Sequence, residues 1–156
     1  RTRAKRHFVE CDWRYRTLSF EQLLWGVPLC MSAHNAEEAL GIRELLTLVE
    51  RLPPRVGTPL RRFAFAGSPR RFLALAAPLT LATWLLAALA VREEPPGLLG
   101  AALVCVQVGL FLNALVPHLL LSLWSRRYTP GVATALLLNV PFTPYLLYRA
   151  HRTDLF

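Results

Sequence analysis

Residues 34–39 read HNAEEA and follow the apolar run LLWGVPLCM at 23–31. Whether a helix continues through them decides the fold. Residues 18–31 alone are too short to cross a bilayer, which takes about 20 apolar residues, and they contain Glu21, Gln22, Gly26 and Pro28. If HNAEEA only starts a new helix, the chain has three long apolar segments. If the helix runs on through it, with a kink at Pro28, there are four. We take the second reading, with a first span over about 18–38.

Composition favours the same class. Hydrophobic residues make up 54% of the 156 and charged residues 18%. The apolar residues are concentrated in long runs, which suits a membrane protein better than a water-soluble domain. The net charge is +8, but the basic residues flank the runs instead of lining one face. Anionic lipid head groups are therefore the expected partner, and nucleic acid is not. The three cysteines show no CxxC pair and no disulfide framework. RTRAKRHFVECDWRYR at 1–16 is basic but lacks an apolar h-region and a small-residue cleavage site, so it does not read as a signal peptide.

Three further spans are plain. FLALAAPLTLATWLLAALAV at 72–91 is uncharged and is introduced by Ser68-Pro69, a cap and first-turn pair. Residues 98–124 would extend about 40 Å as a helix, longer than a bilayer requires, so tilt or a bend at Pro117 is expected. SRRYTPG at 125–131 turns the chain, with Thr129 as cap and Pro130 at the first helical position. The last span, 132–148, carries Pro141 and Pro144. Between spans one and two, residues 36–52 place Ile42, Leu45, Leu46, Val49 and Leu52 on one stripe, with Arg43, Glu44, Thr47, Glu50 and Arg51 facing away. That pattern suits a helix lying in the membrane interface. The expected fold is all-α: a four-helix integral membrane bundle over 18–149 with an interfacial amphipathic helix. A basic head at 1–17 precedes it and a short tail at 150–156 follows.

Span parity then places the polar residues. Spans one and three run in the same direction, so their C-terminal ends share a face. His34 lies near the end of span one. His118 lies about 10 Å of helix before Arg126. Tyr128-Thr129-Pro130-Gly131 opens span four on that face too. Orientation is balanced: of the 18 Lys/Arg, nine fall to each side, so the positive-inside rule gives no direction.

On a helix His34, Glu37 and Glu38 are related by three and four residues and project from one side. An imidazole and a carboxylate one turn apart suit a divalent metal, as in helical-bundle carboxylate sites and HExxH enzymes. His118 can add a second nitrogen, and one glutamate can ligate while the other serves as general base. Asn35 and Asn113 complete the pocket lining. The competing reading is a capping box from Asn35 to Glu38, with acidic residues favouring a helix dipole. Depth favours the site, because ionisable groups in hydrocarbon cost about 3 kcal/mol each on insertion scales. For Gln107 and Asn113 interhelical hydrogen bonding is the simpler role. Tyr128 is a candidate hydroxyl donor, and Pro130 and Gly131 are read mainly as a turn that packs closely.

HNAEE, the later His118 and YTPG occur in an order that resembles the HXXEE-domain family of small bacterial integral membrane proteins. The resemblance covers roughly residues 18–148. It implies His34, Glu37 and Glu38 as the named motif, His118 as a second histidine, and Tyr128, Pro130 and Gly131 as a YxPG element. It implies a bacterial inner-membrane location and no reaction. The expected function is a metal-dependent membrane enzyme. Zinc or iron would be held by His34, Glu37, Glu38 and His118, Glu37, Glu38 and Tyr128 would be the catalytic candidates, and the substrate would be lipid-like or small and hydrophobic. The alternatives are a small transporter or proton/cation relay, with Glu21 and Gln22 as its only continuation, and a purely structural polar network.

Overall fold

The computed structural model describes residues 18–55, 57–58, 68–93, 97–153 and 155. The basic head at 1–17, with Cys11, and Arg61 and Arg62 of the loop expected at head-group level lie outside the described residues. Among the described residues the chain is all-α.

Helix α1 (Phe20–Leu24) starts at Ser19, whose hydroxyl accepts from the Gln22 N–H while the Gln22 side chain accepts from the Ser19 N–H. This reciprocal pair satisfies two of the open amides at the helix start. The chain steps at Trp25 into α2 (Gly26–Leu40). Pro28 lacks the N–H that would reach back to the Leu24 carbonyl, and the helix is interrupted three residues earlier than expected, at Trp25. α2 then runs without interruption through HNAEEA and stops at Gly41. A Cβ at Gly41 would collide with the Pro130 ring. The capping-box reading of Asn35 is thereby overturned: Asn35 lies mid-helix and its amide donates to Thr80 Oγ1 at 2.7 Å.

α3 (Ile42–Glu50) buries Ile42, Leu45, Leu48 and Val49, while Arg43, Glu44, Thr47, Glu50 and Arg51 are exposed as the stripe predicts. Its start differs from the expected 36 because α2 keeps residues 36–40. α4 (Pro69–Ala90) is capped by Ser68, which accepts from Arg71 N–H. α5 (Leu98–Asn113) is capped by the Glu93 carboxylate, which accepts from the amides of Gly97, Leu99 and Gly100. A widened π turn (Ala114–Leu119) around Pro117 joins α5 to α6 (Leu120–Ser125). The expected irregularity at Pro117 takes this form, an extra residue accommodating the missing donor. After a left-handed Arg126 (φ 52°) and a left-handed Gly131 (φ 94°) comes α7 (Val132–Thr134). A second π turn (Ala135–Asn139) leads into α8 (Val140–Arg152). The expected cap at Thr129 and first-turn place for Pro130 are both corrected: Gly131 is the cap, and Thr129 is buried with its hydroxyl donating to the His118 carbonyl at 2.8 Å.

Two apolar clusters mark the ends of the molecule. One joins Phe20, Leu24 and Val27 to Ala87, Ala90, Leu103 and Leu146. The other joins Ile42, Leu45 and Val49 to Phe72 and Leu121. The start of α1–α2, the end of α4, the start of α5 and the end of α8 therefore meet at one end. α2 and α5–α6 run in the same direction, as the parity argument requires. Between the clusters lies a polar layer in which His34, Gln107, His118 and Asn139 are fully buried.

Among the described residues two stretches, Pro69–Ala90 and Leu98–Ser125, are long and apolar enough to cross a membrane. α1–α2 falls outside that measure because Trp25 divides it. α7–α8 does so because Asn139, Thr143, two prolines and Arg149 lower its mean hydropathy.

Candidate metal centre

The polar layer is built from three helical segments. α2 supplies His34 and Glu38 one turn apart, both buried. The π turn after α5 supplies His118, also buried. Glu38 Oε1 lies 2.6 Å from His118 Nε2 and 3.7 Å from His34 Nε2. The two imidazoles meet edge to face, with ring centroids 4.9 Å apart. One ligand-type atom from each of His34, Glu38 and His118 lies within 4.8 Å of the others. A tetrahedral zinc with bonds of about 2.0–2.1 Å would hold its ligand atoms about 3.3 Å apart. The Glu38–His34 distance is close to that spacing and the Glu38–His118 distance is shorter, while the group as a whole spreads to within 4.8 Å, so the side chains would have to draw together around an ion.

The third segment fixes protons. Thr134 donates its hydroxyl to the Gly131 carbonyl at 3.2 Å, so it has a lone pair left to accept from His34 Nδ1 at 3.0 Å. In that arrangement the His34 proton sits on Nδ1 and an unprotonated Nε2 faces the site, a tautomer assigned from the hydrogen-bond pattern. Metal-binding histidines are oriented by just such a partner on the far nitrogen. Among the described residues His118 has no equivalent: its Nδ1 is buried without a hydrogen-bond partner there. Packing holds it instead, since a Cβ at Gly131 would lie 2.6 Å from that nitrogen. Asn113 Nδ2 donates to His34 Nε2 at 3.1 Å and lies 3.4 Å from His118 Nε2. A half-turn of its amide would present Oδ1 to the same point.

Glu37 sits elsewhere. Its carboxylate accepts from the amides of Ala133 and Thr134, at 3.1 and 2.8 Å, and from the Tyr128 hydroxyl. It thus caps α7 from another helix, where a negative charge offsets the helix dipole and satisfies open N–H groups. With three donors on its two oxygens, Glu37 is separated from the group formed by His34, Glu38 and His118. Tyr128 goes with it: the ring is 61% exposed and its hydroxyl is on Glu37, not over the imidazoles. Asn35 lines a neighbouring cavity of about 490 Å³ but spends its amide on Thr80. Glu38 and Asn113 line the same cavity.

These positions coincide with a known pattern. Residues 25–146 match the family described as proteins of unknown function with an HXXEE motif. The chain belongs to the HXXEE family. It is also similar to the uncharacterized protein YrkK of Bacillus subtilis (strain 168), with 40% identity over 38 residues, 24% of each chain. The chain thus aligns with about a quarter of the length of that curated relative. No solved structure matches it.

Within the HXXEE motif of this chain, the two glutamates have different surroundings: the second faces imidazoles, the first faces amides. Sequence reasoning treated them as interchangeable. It also missed Thr134, which fixes the His34 tautomer, and Gly41, where the Pro130 ring rests on α2. A glycine ending an otherwise strong helix was the available signal for Gly41. Nothing local marks Thr134.

The hydrogen bond to Glu37 pushes the Tyr128 hydroxyl up to about 12, with burial adding to the shift. A raised pKa means the neutral phenol is favoured by folding. The stability it adds is complete below about pH 10, the free tyrosine value, and is lost as pH climbs toward 12. Ultraviolet titration should show one tyrosine ionising late, and Glu37→Gln should return it to the ordinary range. A wild-type titration with every tyrosine ionising together would exclude the pair.

Proposed function

We propose that this HXXEE protein is a four-span integral membrane protein of the bacterial inner membrane that binds one divalent ion, zinc or iron, at His34, Glu38 and His118, and acts on an apolar, lipid-like substrate. One observation carries the reading: three buried ligand-type groups from two helical segments converge within 4.8 Å at the wall of an apolar cavity. Buried ionisable groups of this kind are costly and call for a functional partner. The up-and-down order of the helices and the two apolar stretches support the membrane setting, with α3 lying in the interface.

A bound ion would act there as a Lewis acid, activating water or polarising an oxygen of the substrate. The chain's own groups do the rest. Thr134 holds the His34 proton on Nδ1, keeping Nε2 available. Asn113 offers either end of its amide to a group beside the two imidazoles. Glu37 and Tyr128 position the helix that carries Thr134 and handle no substrate. The relay alternative finds less support, because Glu21 and Gln22 are exposed at the start of α1 and Gln22 is committed to the Ser19 cap.

Elemental analysis of purified protein tests the reading. About one zinc or iron per chain is expected in wild type, the occupancy of a mononuclear site, with none in His34→Ala or His118→Ala variants that still melt cooperatively. A wild type that takes up neither metal when loaded, or variants that keep full occupancy, would sink it.

A further inference from the structure

The cavity beside the metal centre is bounded by α2, α4 and α5, and its lining is uneven. Glu38 and Asn113 stand at one end. From Asn113 the α5 wall continues through Leu110 and Gly109 to Val106, about 10 Å along the helix, and the α4 wall through Leu75, Ala76 and Leu79. Among the described residues no charged group lies along that stretch. The mouth opens outward rather than into the bundle: Leu75 is 61% and Leu79 53% exposed, and Gly109 and Asn113 are exposed as well. Neighbouring outward positions on α4 are Leu73, Leu81 and Leu85. What borders this mouth is therefore hydrocarbon, given the membrane setting proposed above. A ligand reaching it comes from the bilayer. The volume of about 490 Å³ lies in the lower part of the usual range of about 300–1,000 Å³ for small-ligand sites, room for one chain.

We infer that this cavity admits a single-chain amphiphile from the bilayer, with its oxygen-bearing end at Glu38 and Asn113 and its tail against Leu79, Gly109 and Leu110. The inference rests on the membrane part of the proposed function and deepens it by naming the substrate class. Gly109 sets the depth available to the tail. Among the described residues a Cβ built there meets nothing within 4 Å, so a larger side chain should fit the fold and occupy the cavity instead of straining the helix.

A long-chain fatty alcohol carrying a diazirine, neutral so that it does not depend on a metal, is the probe. With wild type in lipid nanodiscs, photolabelling should favour Met31 and Leu110, which face the cavity, over Leu81 and Leu85, which face bulk lipid. Gly109→Phe should lower labelling at Met31 and Leu110 about tenfold by steric exclusion and leave Leu81 and Leu85 unchanged. Gly109→Ala should behave as wild type. Labelling of Leu110 no stronger than of Leu81, or persisting in Gly109→Phe, overturns the inference. Metal content measured on the same samples separates the two ideas: cavity labelling in a protein that takes up no metal keeps this inference and removes the metal reading.

Discussion

Glu38→Gln is expected to abolish the proposed metal binding, and Glu37→Gln to spare it. The two residues are adjacent and joined in one motif, yet their oxygens meet different groups. Glu38 Oε1 is 2.6 Å from one imidazole and 3.7 Å from the other. Removing its charge takes away the anionic member of the donor set. Loss of a mere outer-shell partner costs roughly 10–100-fold in metal affinity, and loss of a direct ligand should exceed that. Glu37 instead receives two amides and a phenol. A glutamine there keeps one acceptor oxygen but turns an NH2 toward donors, at a cost of about 1–3 kcal/mol for the unsatisfied groups. Elemental analysis should therefore separate the two variants cleanly, Glu38→Gln losing metal and Glu37→Gln retaining it while melting early. If both glutamines lose metal equally, the division of the motif is wrong.

Gly131→Ala is the second large effect. At φ 94° an L-residue is strained, by about 1–2 kcal/mol in the left-handed region. The added Cβ would also lie 2.6 Å from His118 Nδ1, and overpacking of this kind costs about 1–3 kcal/mol more. The ring cannot retreat easily, because its other nitrogen is at Glu38 and its carbonyl holds Thr129. Destabilisation should come with weakened metal binding, measurable as early melting and loss of ion on dialysis. Gly41→Ala serves as the comparison. It meets the Pro130 ring from an ordinary φ of −105°, so it should lower stability and leave the ion bound. Equal metal loss in both would mean that general loosening, not the displaced imidazole, is responsible.

Much of this was legible in the chain before any coordinates. The apolar runs at 72–91 and 98–124 define helices by composition alone, and their alternation in direction brings His34 and His118 to one level. Periodicity marked α3 correctly along most of its face. What could not be read depends on partners distant in sequence. Asn35 and Glu38 match a capping pattern as well as a mid-helix one, and only Thr80 across the bundle decides for Asn35. Glu37 and Glu38 differ by about 100° around the helix, and which direction faces imidazoles is set by where α7 docks. The TPG turn misled for a related reason. Threonine and proline fit a helix start locally, but Thr129 is drawn to the His118 carbonyl and Gly131 takes the cap.

The widened turn at Ala114–Leu119 has a consequence for inheritance. Such a turn holds one residue more than ordinary helix needs, and His118 lies inside it. A chain shorter by one residue between Asn113 and Leu120 would regain regular pitch, lose only about 1.5 Å of length, and still aim its imidazole away from Glu38. A relative with a single-residue gap at this point should therefore keep its second histidine without presenting it to the glutamate.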